Sequence, residues 1–281
     1  PDFFQKNTTG TNEHTILADY VEGFNKVGIE SGIKAIFRNN KSNFNYTDSD
    51  MMNNTFKLSQ DVISAYTSLT YKIKSWGIKG GIRAEQTLIG DDILQNYLNI
   101  VPSLAVTIQL NAVNSINFGF SQRLKRPGIN RLNPFVDRSN PNYESGGNPG
   151  LNASSINNIL LGYNYSGKIL SFNIGMGYAI FNNLDFKTYI YDQATRITKS
   201  TYANIGEGNA LSTDIYVNFV AAKQLSFNLN GNLTYINIKG ITALPSTEGL
   251  YHNFTISGSY RPLPSWRLGV NINVIGKNPS S

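Results

Sequence analysis

His14 and His252 are the only imidazoles in a chain of 281 residues that contains no cysteine. They stand far apart, without the ligand spacing of a zinc centre, so no metal is expected and both read as strand-edge or loop residues. No Ser/His/Asp or Cys/His arrangement can be assembled, and no acid pair sits in a catalytic context, so the chain is not expected to be an enzyme or to need a cofactor. Two carboxylate pairs remain, Asp91-Asp92 and Asp48 with Asp50. Neither belongs to a glycine-turned ligand loop of the kind calcium uses, and both read as solvated acids in outer loops. Gly80-Gly81 and Gly146-Gly147 are not phosphate loops, because neither sits at a strand-to-helix junction.

Two features have more content. Arg83 and Glu85 share the polar face of a strand whose other face carries Trp76, Ile78, Ile82 and Ala84. The 125–153 segment is long and carries Pro127, Pro134, Pro141 and Pro149 with the apolar anchors Leu132, Phe135 and Tyr143. Four prolines and three anchors favour an ordered loop, which either lines a ligand entrance or packs over the wall beside it.

The elements that must hold these residues are strands. Leu225, Phe227, Leu229, Leu233 and Tyr235 alternate with Ser226, Asn228, Asn230, Asn232 and Thr234; Phe172, Ile174, Met176, Tyr178 and Ile180 do so with Asn173, Gly175, Gly177 and Ala179. Side chains on a strand point alternately to opposite faces, so each run has one apolar and one polar side. The polar side is Asn, Ser, Gly and Thr rather than Lys and Glu, and charged residues are only 15% of the chain against about 25% in soluble domains. Apolar outward and polar inward, with Tyr71, Trp76, Tyr97, Tyr165, Tyr260 and Trp266 near strand ends, is the pattern of an all-β, antiparallel up-and-down transmembrane β-barrel.

Strands are expected at 14–24, 27–38, 57–72, 76–88, 97–109, 114–124, 154–166, 168–191, 195–221, 225–239, 250–261 and 266–275. Short turns then alternate with longer segments at 39–56, 89–96, 125–153 and 240–249, short ends periplasmic and long ends extracellular. Pro102 predicts a local irregularity, and Gly206, Gly208 and Ala210 a bend or bulge in the longest hairpin. The whole of 1–281 reads as one partial barrel domain. A soluble β-sandwich is disfavoured, since it has no reason to sort its loops by parity. No stretch approaches the roughly 18 apolar residues of a membrane helix. The net charge of +6 is scattered through turns and loops, which argues against nucleic acid as a partner and reads as solvation, with weak attraction to anionic lipid second to it. Neither Pro1-Asp2-Phe3-Phe4 nor Asn278-Pro279-Ser280-Ser281 looks like a natural terminus, so a longer parent is expected.

Ser121-Gln122-Arg123-Leu124-Lys125-Arg126-Pro127, Leu132-Asn133-Pro134-Phe135 and Gly147-Asn148-Pro149-Gly150-Leu151 form an ordered set of motifs. Ala65-Tyr66 with Leu69, Gly80-Gly81-Ile82-Arg83-Ala84-Glu85, Pro102-Ser103 and Thr201-Tyr202-Ala203-Asn204-Ile205-Gly206 accompany it. Together they resemble the TonB-dependent receptor-like outer-membrane β-barrel family of the Bacteroidetes type. The sequence departs from that pattern at Asn152-Ala153, where the family has Pro-Glu. The resemblance implies a barrel of about 22 strands, of which this chain supplies about twelve, closed by other strands and filled by a plug. It implies energy-coupled uptake of a bulky nutrient or metal chelate through the outer membrane of a Gram-negative cell, with a TonB-type coupling protein as partner. It places ligand contacts at Arg126, Asn133, Phe135 and Asn148, and offers the plug as a partner for Arg83 and Glu85, beside the reading of those two as a local ion pair. A structural or adhesive barrel without transport is the alternative.

Overall fold

The computed structural model describes residues 4–47, 51–239 and 246–276, so Asp48 and Asp50 lie outside the described residues. The chain forms β1 (Phe4–Phe24), β2 (Val27–Thr47), β3 (Met51–Ile73), β4 (Trp76–Asp91), β5 (Gln95–Gln109) and β6 (Asn114–Lys125). A one-turn helix α1 (Ile129–Leu132) and the short strands β7 (Asp137–Asn140) and β8 (Tyr143–Ser145) follow. The meander resumes with β9 (Ser154–Ser166), β10 (Leu170–Asp192), β11 (Ile197–Ala222), β12 (Leu225–Lys239), β13 (Thr247–Leu263) and β14 (Trp266–Ile275). Twelve long strands pair in chain order, β6 pairing β9 across the inserted segment, and every neighbouring pair on this path is antiparallel. No pairing joins β1 to β14 among the described residues, so the sheet is an open section of wall.

The register sorts side chains into the two faces that the alternation demands. Leu229 lies level with Val217 and Ile256. Asn230, one residue on, lies level with Tyr216 and Thr255 and lines a recess on the opposite face with Asp214 and Asn232. A one-residue slip would turn every strand inside out, which pins this register firmly. Tyr71, Trp76, Tyr260 and Trp266 are exposed on the apolar face beside the tight turns, so one aromatic girdle marks the short-turn end. Tyr97 does not belong to it. It pairs with Thr87 and shares the concave face with Val101, so its expected place in the girdle is wrong; Pro102 and Leu104 point outward instead.

The expected irregularity at Pro102 is a broken ladder. Pairing of β5 with β6 stops at Ser103↔Ser121, one residue short of the proline, while pairing with β4 runs through it. A residue without an N–H cannot donate to a ladder. The irregularity in the long hairpin falls on both strands: β10 gains a residue between Phe181 and Leu184, with Asn183 at φ 61°, and β11 gains one at Ile205, beside Gly206. Gly206 lies opposite, where a Cβ would collide with the Phe186 ring.

Two expected loops are strands. Residues 39–47 pair with 51–59, and β4 and β5 continue to Asp91 and from Gln95. The asymmetry between the two ends therefore lies mostly in strand length: β2, β3, β10 and β11 have 21, 23, 23 and 26 residues, against the roughly 9–11 that cross hydrocarbon.

Candidate functional site

The 126–153 segment folds back onto the concave face as a strap. Pro127, buried, directs the chain inward; the single turn Ile129–Leu132 follows, with Arg131 N–H donating to Gly128 O at 2.9 Å. The Asn133 side-chain oxygen accepts Phe135 N–H at 3.0 Å, an Asx turn that ends the helix before Pro134. Leu132 and Leu151, at 0% and 1% exposure, join Phe56, Leu58, Ile89 and Ile93 in the one apolar core among the described residues. That core lies inside the wall, beneath the strap, and not on the lipid side.

Polar staples hold both flanks. Gly147 N–H donates to Asn133 O at 2.8 Å, and a Cβ on Gly147 would come within 2.6 Å of two strap carbonyls, so a larger residue there would force the strap open. Asn148 N–H donates to Arg131 O, its amide nitrogen to Tyr202 O at 2.8 Å, and its oxygen accepts Gly150 N–H. Gln95 donates to the carbonyls of Pro149 and Leu151. The strap strand β8 pairs in parallel with β11 from Thr198↔Tyr143 to Ser200↔Ser145. At Asn152, where the family motif is not kept, backbone and Asn204 side chain exchange two hydrogen bonds.

The charged centre is Glu85, whose side chain is 9% exposed. Arg83 Nε donates to one carboxylate oxygen at 2.6 Å, and an Arg126 terminal nitrogen donates to the other at 2.5 Å. Arg126 Nε also donates to Thr87 Oγ1 at 3.0 Å, so its side chain crosses over β5 to reach β4. On the other flank Arg131 pairs with Asp185 and stacks 5.3 Å from the centre of the Tyr202 ring. Outside the membrane span, Lys187 lies 5.3 Å from the Tyr143 ring centre; the ammonium lowers the phenol below its usual range, and the phenol raises the lysine in turn.

The structure thus brings Arg83, Glu85 and Arg126 into one triad, and uses Asn133 and Asn148 to fix the strap. Asn133 and Phe135 also line a cavity of about 330 Å³ with Tyr202 and Asn130. Arg126, though marked as a site residue, gave no sign in sequence of its link to Glu85, 41 positions away. Arg131–Asp185 and Tyr143–Lys187 were missed altogether; their partners lie in strands that only the folded strap approaches. His14 and His252 lie on β1 and β13, and no group of three or more metal-type ligands occurs among the described residues. Asp92 accepts Lys57 N–H at 2.7 Å, just where the β3–β4 ladder stops.

A meander of long strands, apolar on one side and polar on a concave side, with an aromatic girdle at the tight-turn end, defines the wall of an outer-membrane β-barrel. The chain belongs to the Outer membrane protein beta-barrel family, whose model it matches over residues 1–280. No curated protein matches it in sequence. Among solved structures it is similar to the copper transporter OprC, with a TM-score of 0.66 at 9% identity over 96% of this chain and 51% of that one. The FrpB iron transporter from Neisseria meningitidis (F3-3 variant) gives 0.67 at 12% identity, over 94% and 42%. The ferric yersiniabactin uptake receptor FyuA from Yersinia pestis gives 0.67 at 15%, over 98% and 44%. At such identities the likeness is one of fold, and the chain spans about half or less of the length of each.

Proposed function

We infer that this wall belongs to an outer-membrane receptor that takes up a bulky nutrient or metal chelate, driven through a plug by a TonB-type partner. The observation that carries the reading is the strap. A segment turned inward across the concave face narrows the passage and lines it with specific side chains, which is what a selective port needs. Here 28 residues, 126–153, turn inward, bury two leucines completely and are stapled to both flanks of the wall. The names of the similar structures, transporters of copper and iron and an uptake receptor, point the same way.

In this reading Asn133 and Phe135, which line the cavity, touch the ligand, while Arg126 and Asn148 hold the strap in shape. Arg83 and Glu85 face the interior, where a plug would pack. The test is uptake of a panel of labelled nutrients (iron and copper chelates, cobalamin, oligosaccharides) by three strains: wild type, a gene deletion, and one with the inner-membrane coupling protein disabled. At least one nutrient should fail to enter in both mutants. If every nutrient enters all three strains alike, the transport reading falls and the structural alternative stands.

A further inference from the structure

A recess of about 720 Å³ on the concave face lies below the strap between β2 and β6. Its lining includes Lys34, Lys79, Arg83, Arg123 and Arg126 against a single carboxylate, Glu85. Glu30 pairs with Lys79 at 2.6 Å, and Glu85 is shared by Arg83 and Arg126. Asp19, just outside the lining, is held by Tyr66, which does line it. With Glu30, Glu85 and Asp19 all counted against the five cations, two positive charges stay unbalanced around the recess. Lys34 and Arg123 have no ion-pair partner among the described residues.

Unbalanced charge on one concave surface raises the local concentration of counter-ions, and apolar walls strengthen the effect by lowering the local dielectric. Leu17, Ile36, Val62 and Val101 supply such walls. Glu85 does not cancel the site. It engages Arg83 through Nε alone, which leaves that guanidinium, 43% exposed, with terminal N–H donors unspent. Planar guanidinium forks match carboxylate and phosphate oxygens better than hydroxyls.

We propose that this recess binds the carboxylate or phosphate groups of a multivalent, anionic cargo, with Lys34, Arg83 and Arg123 as the contacting cations. The proposal rests on the uptake reading and names the chemical class of its cargo. Because Lys34 and Arg123 have no ion-pair partner among the described residues, replacing them removes attraction without leaving a stranded acid.

The experiment is calorimetric titration of the full-length detergent-solubilised protein at low salt with citrate, with inorganic pyrophosphate and with maltotriose. At least one of the two anions should bind, more weakly as salt rises, and the neutral sugar should not. The citrate and pyrophosphate arms decide between carboxylate and phosphate. Lys34→Gln with Arg123→Gln should weaken anion binding by about tenfold or more, and Lys34→Arg with Arg123→Lys should retain most of it. Absence of anion binding by the wild type, as when an acidic protein segment fills the recess, overturns the proposal. So does binding that the Gln pair leaves unchanged, or equal binding of maltotriose. Energy-dependent uptake of a neutral nutrient, without anion binding, sinks this inference alone; anion binding without uptake sinks only the transport reading.

Discussion

The concave face is furnished differently on its two flanks. Along β1–β6 it carries charge in pairs, Arg38 with Glu13, Lys79 with Glu30, and Arg83 and Arg126 on Glu85. Along β9–β14, away from the strap, it carries amides: Asn218 donates to Asn228, Asn164 to Ser115, and Asn232 to Asp214, while Asp185 of β10 is taken by Arg131 of the strap. The flanks also differ in cover. Gln60, Ser64, Glu85 and Thr87 are buried on the first, whereas β12, β13 and β14 contain no buried residue. Burial and charge therefore go together, and the strap is what joins them. An ion shielded from water needs a partner held in place, and packing of Leu132 and Leu151 supplies that hold. Amides satisfy one another across strands without any cover, so β12–β14, which the strap does not reach, stay open.

The comparison breaks most sharply at the apolar anchor. Leu132→Ala, at a site with no exposure, should cost about 2–5 kcal/mol and raise hydrogen exchange throughout the strap. Leu160→Ala, on the amide flank and 53% exposed, should change neither thermal unfolding in detergent nor exchange. Equal effects would show that the strap contributes no packing. A smaller contrast is expected among the charges. Arg126→Met removes a hydrogen bond to a buried carboxylate and should cost about 1.5–3 kcal/mol in denaturant titration, while Asp214→Asn should be nearly silent. A destabilising Asp214→Asn would mean that the open flank, too, depends on charge.

The smallest effect lies at the tip of the long hairpin, beyond both flanks. Lys199 donates to Asp192 at 3.1 Å and, with the N–H groups of Thr195 and Ala194, holds its carboxyl at about 2, below the ordinary 3.8. A depressed folded value means that the tip's stabilisation is present above pH 3.8 and is lost as pH falls toward 2. Carboxyl resonances followed by NMR in micelles should place the Asp192 midpoint near 2, and Lys199→Met should move it up toward 3.8. An unmoved midpoint would remove Lys199 as the cause.

Where lipid dictates alternation, the strands were legible, and 154–166, 225–239 and 266–275 fall on β9, β12 and β14 to the residue. The polar stretches 39–56 and 89–96 misled for the same reason. Above the hydrocarbon no face is required to be apolar, so Asn- and Ser-rich sequence pairs through its backbone ladder and carries no periodic signature. Face parity placed Arg83 and Glu85 correctly toward the interior. Parity is silent about a residue that arrives from a loop, which is why the third member of the triad and the parallel pairing of β8 could be found only in the fold. The four prolines did announce an ordered strap, though not the surface it would pack against.

The uneven strand lengths have a consequence for the rim. β10 runs ten residues past its last pairing with β9, from Asn182 to Asp192, roughly 34 Å along the strand at about 3.4 Å per residue. β3 likewise overshoots β4 by the seven residues 51–57. Between these two raised hairpins β4, β5, β6 and β9 end low. The described rim therefore dips between the two hairpins, and the strap lies in that dip.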